Sequence, residues 1–475
     1  MVFWILLGLF AVIRLVPLFS DLWLDEIWSV VLVRQLNSPA EILTRYLVDN
    51  NHPLNSLWIY AVGVTSADWV YRLLSWSAGV AAVWLASEVA RLQWRQLHPD
   101  AAAAESDAAR LITAALFGGS YLFVFYSSEA RGYSAAVACG LLAICALWRG
   151  AHAPDRRWVP VYWAACVAGL AAHAIMVQVI MAGVAYSLLR ALPSSKRVAS
   201  IGRWHAVPVG AAVIYYLGFV RRLLVGGGPQ LSLTRVLSEM SAYMLGVPVG
   251  AALVVALPLV IGAAGVALWQ IARRDRSLLA FYLTLFSVAA LAPFGRQFDV
   301  VYPRYFIVVA AAVLLLVGHG LTRLFASGSV RRFVACAVVG LCLLGDSAYL
   351  AKLFRHGRGE YRAALRYIGA HTASTTIALA SDQDVRNGTV VHYFAPLALP
   401  GRTVRYVTAS AALVEHPPWL LVHRFDGEPA PAAEVRGAQG DTYALTARFG
   451  HAPLSGWDWY VFRNTQFPPD APATR

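Results

Sequence analysis

Long apolar stretches recur through the first 350 residues, and few folds accommodate them. A helix needs about 20 mostly apolar residues to cross a bilayer, and about eleven segments come near that: 2–19, 70–90, 109–125, 133–148, 159–172, 175–190, 206–220, 246–271, 278–294, 305–322 and 333–350. Inside a bilayer each backbone polar group must be bonded within the protein, so such segments span as helices. Composition agrees, with 59% of the 475 residues hydrophobic and 14% charged, against about 45–50% and about 25% in a soluble domain. An ordinary soluble enzyme, a disordered chain and a disulfide scaffold are excluded. Segment 54–67 is too short to span and reads as a juxtamembrane or re-entrant helix. Segment 2–19 lacks the basic start and small-residue cleavage site of a signal peptide and reads as a retained anchor.

The net charge of +13 would suit nucleic acid, but in a membrane chain basic residues first report orientation. Alternate loops carry Arg91, Arg95 and Arg110; Arg149, Arg156 and Arg157; Arg190, Lys196, Arg197 and Arg203; Arg273, Arg274 and Arg276; and Arg323, Arg331 and Arg332. The opposite side holds about half as many cations, several beside acids. The Arg-rich side is therefore expected to be cytoplasmic in a multi-pass inner (plasma) membrane protein. No nucleic-acid partner is expected. The five cysteines (139, 145, 166, 336 and 342) all fall in apolar stretches and read as small buried hydrophobes.

After about residue 350 the composition changes. GEYRAALRYIGAHT (359–372) has helical apolar spacing, and 375–382, 389–394, 403–408, 419–425 and 459–464 read as short strands between turn residues. The expected division is a membrane domain over 1–350, an extracytoplasmic α/β domain over 351–465 and a flexible tail over 466–475.

Charges near the membrane are costly, and each marks a candidate site. Asp25 and Glu26 follow the first span among Trp23, Leu24, Ile27 and Trp28. A carboxylate in such surroundings is partly desolvated, which raises its basicity and suits general-base work. Asp21 solvates a loop end as readily as it serves a site. Asn50, Asn51 and His52 precede Pro53, either as hydrogen-bonding groups for a substrate or as a turn cluster. The short second outer loop, FYSSEARGYS, packs Tyr126, Glu129, Arg131 and Tyr133 together, and a Glu129–Arg131 ion pair is the plain alternative to a site. The fifth outer loop carries Arg296, Asp299, Tyr302, Arg304 and Tyr305. A guanidinium fork there suits a phosphate, with snorkelling as the alternative for Arg304. Arg14 and Arg72 lie in or at spans and need partners, the outer carboxylates being the obvious ones. His173 sits in an almost uncharged outer turn, as a ligand or a satisfied buried histidine.

Carboxylates, guanidinium groups and aromatics gathered at one face fit a reaction on a sugar carried by a lipid phosphate. A carboxylate would deprotonate the acceptor, which attacks the anomeric carbon, while arginines stabilise the departing phosphate. Nucleotide sugars are cytoplasmic, so a polyprenyl-phosphate donor is the economical choice at an outer face.

The ordered motifs also resemble a family. Arg14 followed by LWLDE (22–26), NHPLNSLW (51–58), YRLLS (71–75), YSSEARGYS (126–134), His173, YPRYFIVVA (302–310) and EYRAALRYI (360–368) together are similar to the GT-C fold lipid-linked glycosyltransferases. The branch is that of protein O-mannosyltransferases and lipid A aminoarabinose transferases. The resemblance implies an α-helical polytopic membrane protein of the GT-C fold with a small C-terminal extracytoplasmic α/β domain. It implies catalytic roles for Asp25, supported by Glu26, and for Glu129, with Arg304 and Tyr305 near the lipid phosphate and His52 and Arg131 lining the cavity. Arg14, Asn51, Arg72, Tyr133 and His173 complete the expected substrate-binding set. A DE pair stands where a metal-dependent relative carries D-x-D, so no cofactor or metal is expected. Leu54 follows Pro53 where the family usually has a second proline, and the outer domain lacks a β-trefoil insert; both weigh against a protein acceptor. The expected activity is inverting transfer of one sugar to a lipid or cell-envelope glycan. A flippase of lipid-linked sugars, a glycan polymerase or ligase using a pyrophosphate carrier, and a non-catalytic scaffold are the rival readings.

Overall fold

A computed structural model describes residues 1–65, 67–152, 157–190, 197–226, 228, 231–291, 301–437 and 440–467. Arg156, Lys196, Arg296, Asp299 and residues 468–475 of the tail lie outside the described residues. The chain divides into two compact units.

The first unit comprises Met1–Leu18, Gln35–Gly63 and Tyr71–Tyr349 and is helical. Among the described residues, six helices in the chain are long and apolar enough to cross a membrane, or seven when a bent pair counts as one span. This is a multi-pass membrane protein, and among the described residues helix length and composition support six or seven of the eleven expected spans. Three of the remaining sequence segments fall on apolar helices of 15, 15 and 16 residues, Trp158–Ala172, Met176–Arg190 and Arg276–Leu291. Segment 206–220 falls largely on Arg197–Gly218, which contains Pro208. Residues 54–67 hold a ten-residue helix, Pro53–Val62, opened by proline at its first turn.

The expected span 109–125 is broken at Ser120, where helices Ala103–Gly119 and Tyr121–Ser127 meet at 64°. A break leaves carbonyls of the first helix without intrahelical donors. Arg14, fully buried, supplies them: its guanidinium donates to Gly118 O at 2.6 Å and Phe117 O at 3.1 Å, and to Phe10 O at 3.2 Å. On the other side of the break Asp346 accepts from Tyr121 N at 2.9 Å. The carboxylate expected to pair with Arg14 is thus replaced by backbone carbonyls, because the bend leaves acceptors within reach of its guanidinium.

The second unit comprises Phe19–Arg34, Val64–Val70 and Leu350–Arg475. Its sheet has six strands: β1 (Thr376–Ser381), β2 (Thr403–Val407), β3 (Trp419–Arg424), β4 (Glu434–Arg436), β5 (Thr442–Phe449) and β6 (Asp458–Asn464), in the order β2-β1-β3-β6-β5-β4. β1 runs parallel to β2 and β3, and the other pairings are antiparallel. The expected strand 389–394 is instead part of helix Asp384–Ala398. Parallel neighbours need a crossover, and this helix is the β1–β2 connection. It buries Asn387, Val391, Phe394 and Ala398 at helical spacing, which outweighs the strand preference of its paired valines. β4 and β5 were not anticipated from the sequence.

Short polar segments from early in the chain are tied into this unit by charge. Arg362 donates its backbone N–H to Asp21 at 2.7 Å and pairs with Asp21 through Nε at 3.2 Å. It also pairs with buried Asp68, which accepts from Tyr393 Oη at 2.8 Å.

Candidate functional site

Four segments of the first unit meet around two histidines. His52 is the N-cap of helix Pro53–Val62, and His173 ends helix Trp158–Ala172. Their ring centroids are 4.9 Å apart, and Tyr133 lies 5.0 Å from His52 and 4.9 Å from His173. Tyr126 follows at 5.3 Å from Tyr133, and Tyr305 at 6.4 Å from His173. The approach depends on Gly132, where a Cβ would stand 1.9 Å from Ala172 O.

Two arginines set the electrostatics. Arg131 lies 5.0 Å over the Tyr133 ring and 4.0 Å from Glu129, both partners being buried. Arg304, in the short helical turn Pro303–Phe306, lies 4.2 Å over Tyr302 and 5.7 Å from Tyr305. Burial, then the charges of Arg131 and Arg304, hold His173 down at about 3. His52 is held well below its ordinary value by burial, by Arg131, by His173 and by Arg304. Both imidazoles are neutral at pH 7. His173 Nδ1 accepts from Ile175 N at 3.1 Å, which leaves its proton on Nε2 as a donor. His52 Nε2 is buried without a hydrogen-bond partner.

The loop that bears Glu129 and Arg131 is fixed through its backbone. Asn55 Nδ2 donates to Ala130 O at 2.6 Å and Ser75 Oγ to Arg131 O at 2.8 Å. Asn55 is 2% exposed, and its Oδ1 has no hydrogen-bond partner. Sequence reading passed over Asn55, although its place three residues after His52 puts it on the same helix face.

Other expected site residues also bond the backbone around them. Asn51 donates to Ile42 O at 2.7 Å and Tyr46 O at 2.6 Å and accepts from Ser56 at 2.7 Å, so its amide holds the loop before the helix. Arg72, fully buried, donates to Pro17 O at 3.2 Å and Leu18 O at 2.9 Å.

Asp25 and Glu26 belong to the second unit, in the first turn of helix Leu24–Val33. Glu26 is fully buried and accepts from Trp23 N at 3.2 Å, a capping arrangement that orients the turn. Asp25 is partly exposed, and its backbone carbonyl accepts from Ser29 Oγ at 2.9 Å. Among the described residues no three His, Cys, Asp or Glu side chains converge as a metal site requires.

No protein-family model and no curated protein matches the chain. The solved structures it resembles are GT-C fold glycosyltransferases. Apo ArnT from Cupriavidus metallidurans aligns over 96% of this chain and 97% of its own, at 13% identity and a TM-score of 0.49. ArnT from the same organism bound to undecaprenyl phosphate aligns over 98% and 99%, at 15% identity and a TM-score of 0.49. The Archaeoglobus fulgidus oligosaccharyltransferase in complex with zinc and sulfate aligns over 88% and 68%, at 10% identity and a TM-score of 0.48. At TM-scores below 0.5 these likenesses assign neither family membership nor activity.

Proposed function

We propose that this protein transfers a single sugar, with inversion, from a polyprenyl-phosphate carrier to a lipid or cell-envelope glycan at the extracytoplasmic face of the inner membrane. The observation that carries the reading is the gathering of anion-binding side chains around His173. Arg131, Arg304 and the Nε2–H of His173 offer donors of the kind that bind phosphate oxygens. One helical turn on from Tyr133, and four residues on from Arg304, Val137 and Val308 line a narrow apolar cavity of about 20 Å³ with Leu141, Phe281 and Leu285. A phosphate bound by these donors, with its isoprenoid tail in the surrounding bilayer, accounts for buried arginines set among apolar helices.

In this reading Asp25 takes a proton from the acceptor hydroxyl as that oxygen attacks the anomeric carbon. The bond from that carbon to the phosphate oxygen breaks, and the electron pair leaves with the lipid phosphate. Arg131 and Arg304 stabilise the charge that grows there. Glu26 supports the turn that carries Asp25, and Glu129 sets the position of Arg131.

Transfer of radiolabelled sugar in inverted and right-side-out vesicles tests this, comparing wild type with Asp25→Asn across a panel of polyprenyl-phosphate sugars. Transfer by wild type from the outer face, lost in a folded Asp25→Asn protein, is the expected result. Equal transfer by the variant overturns the role of Asp25. Labelled lipid crossing the bilayer without transfer overturns the enzyme reading in favour of a flippase.

A further inference from the structure

A second concentration of charge in the first unit lies away from the histidine cluster. Helices Leu73–Leu97, Ala103–Gly119 and Tyr133–His152 bring three arginines onto one carboxylate, Glu88. Arg91 reaches Glu88 at 2.6 Å, Arg110 at 3.1 Å and Arg149 at 3.2 Å. Among the described residues no second carboxylate pairs with any of the three, so three guanidinium charges stand against one, a surplus of two.

Glu88 is 6% exposed at its side chain, whereas Arg91, Arg110 and Arg149 are 25%, 20% and 33% exposed. The shared acid is therefore sealed, and the arginine edges are open. Arg91 Nε is buried with no hydrogen-bond partner. Two of the guanidinium planes are held by stacking: Arg110 lies 3.6 Å over Phe3 and 5.8 Å from Trp4, and Arg149 lies 5.1 Å over Trp158. Stacking fixes the planes without using the N–H groups along their edges. Trp4 is 60% exposed, as suits an indole at a bilayer interface.

A surplus of two charges on preoriented forks calls for an anion with paired oxygens. We infer that Arg91, Arg110 and Arg149 form a binding site for the phosphate of an anionic membrane lipid, separate from the donor site. The phosphodiester oxygens bridge the open edges of Arg110 and Arg149, with the Glu88 carboxylate competing for the same guanidinium groups. A lipid is favoured over free phosphate because the exposed ring of Trp4, edge-on to Phe3, gives acyl chains a surface beside the charges.

Native mass spectrometry of the full chain in detergent, stripped of lipid and titrated with phosphatidylglycerol, phosphatidylcholine or inorganic phosphate, tests the site. An arginine near an anionic headgroup contributes about fivefold in affinity, so Arg110→Gln with Arg149→Gln should weaken phosphatidylglycerol binding roughly 25-fold. Glu88→Gln removes the competing carboxylate and should tighten binding several-fold, and Arg149→Lys should fall between wild type and the double variant. These opposite directions keep the test decisive should the double variant fail to fold. Equal binding of the two lipids by wild type, or no response to Glu88→Gln and Arg149→Lys, overturns the site. Displacement of phosphatidylglycerol by millimolar inorganic phosphate overturns a lipid as the occupant.

Discussion

His52 and His173, separated by 121 positions in sequence, lie 4.9 Å apart between ring centroids, their planes tilted by 32°. Neither can be protonated at neutral pH without placing a cation beside Arg131 and Arg304, so the pair persists as two neutral rings among positive charges.

That neutrality has a pH signature. The folded value of His173, about 3, lies below the ordinary value of 6.5. Between these limits the unfolded chain binds the extra proton, so stability rises with pH through this window and its contribution is complete above about 6.5. His173→Gln should therefore flatten the dependence of thermal midpoint on pH between about 4 and 6.5. A variant with the slope of wild type would show that His173 is already protonated in the folded protein.

Arg304→Lys retains charge but loses the planar fork. It should raise KM for a polyprenyl-phosphate donor roughly tenfold, with a smaller change in kcat. Arg131→Lys should behave similarly. Donor titrations in detergent measure both, and unchanged KM in both would remove the arginines from the donor site.

Gly132→Ala places a methyl group against the Ala172 carbonyl, where the available separation is 1.9 Å. Backbone must shift, so a loss of about 2–3 kcal/mol of stability is expected, together with most of the activity. Gly210→Ala, in helix Arg197–Gly218 with nothing within 4 Å, should instead gain about 0.5–1 kcal/mol. Melting curves of the two variants side by side check the contrast.

Arg14→Met leaves the carbonyls of Phe117 and Gly118 buried without their donor. A cost of about 2–4 kcal/mol follows, read as a lower melting temperature. Activity per folded molecule should stay within a few-fold of wild type. A stable but inactive Arg14→Met protein would return Arg14 to the substrate site.

Arg362→Met removes the guanidinium charge beside Asp21 and beside buried Asp68. Allowing for the partial exposure of Arg362, about 2–3 kcal/mol should be lost. Asp68→Asn with Arg362→Met should recover part of that loss, which a double-mutant cycle of melting temperatures measures.

What the sequence determined by itself was whatever depends on neighbours along the chain. Apolar runs fixed where helices could cross a membrane, and strand spacing located β1, β2, β3 and β6. The motif at 126–134 and His52 marked groups that do converge. Partners distant in sequence were decided only by the tertiary structure. Arg14 reads locally as a charge wanting a carboxylate, but a bend at Ser120, more than a hundred residues away, exposes carbonyls that satisfy it. TVVHYF reads as a strand because of its β-branched pair, yet a parallel β1–β2 neighbourhood requires a helix there. Asp68 and Arg362 carry no local sign of one another, because a salt bridge between segments nearly 300 residues apart is set by packing and leaves no period in the sequence.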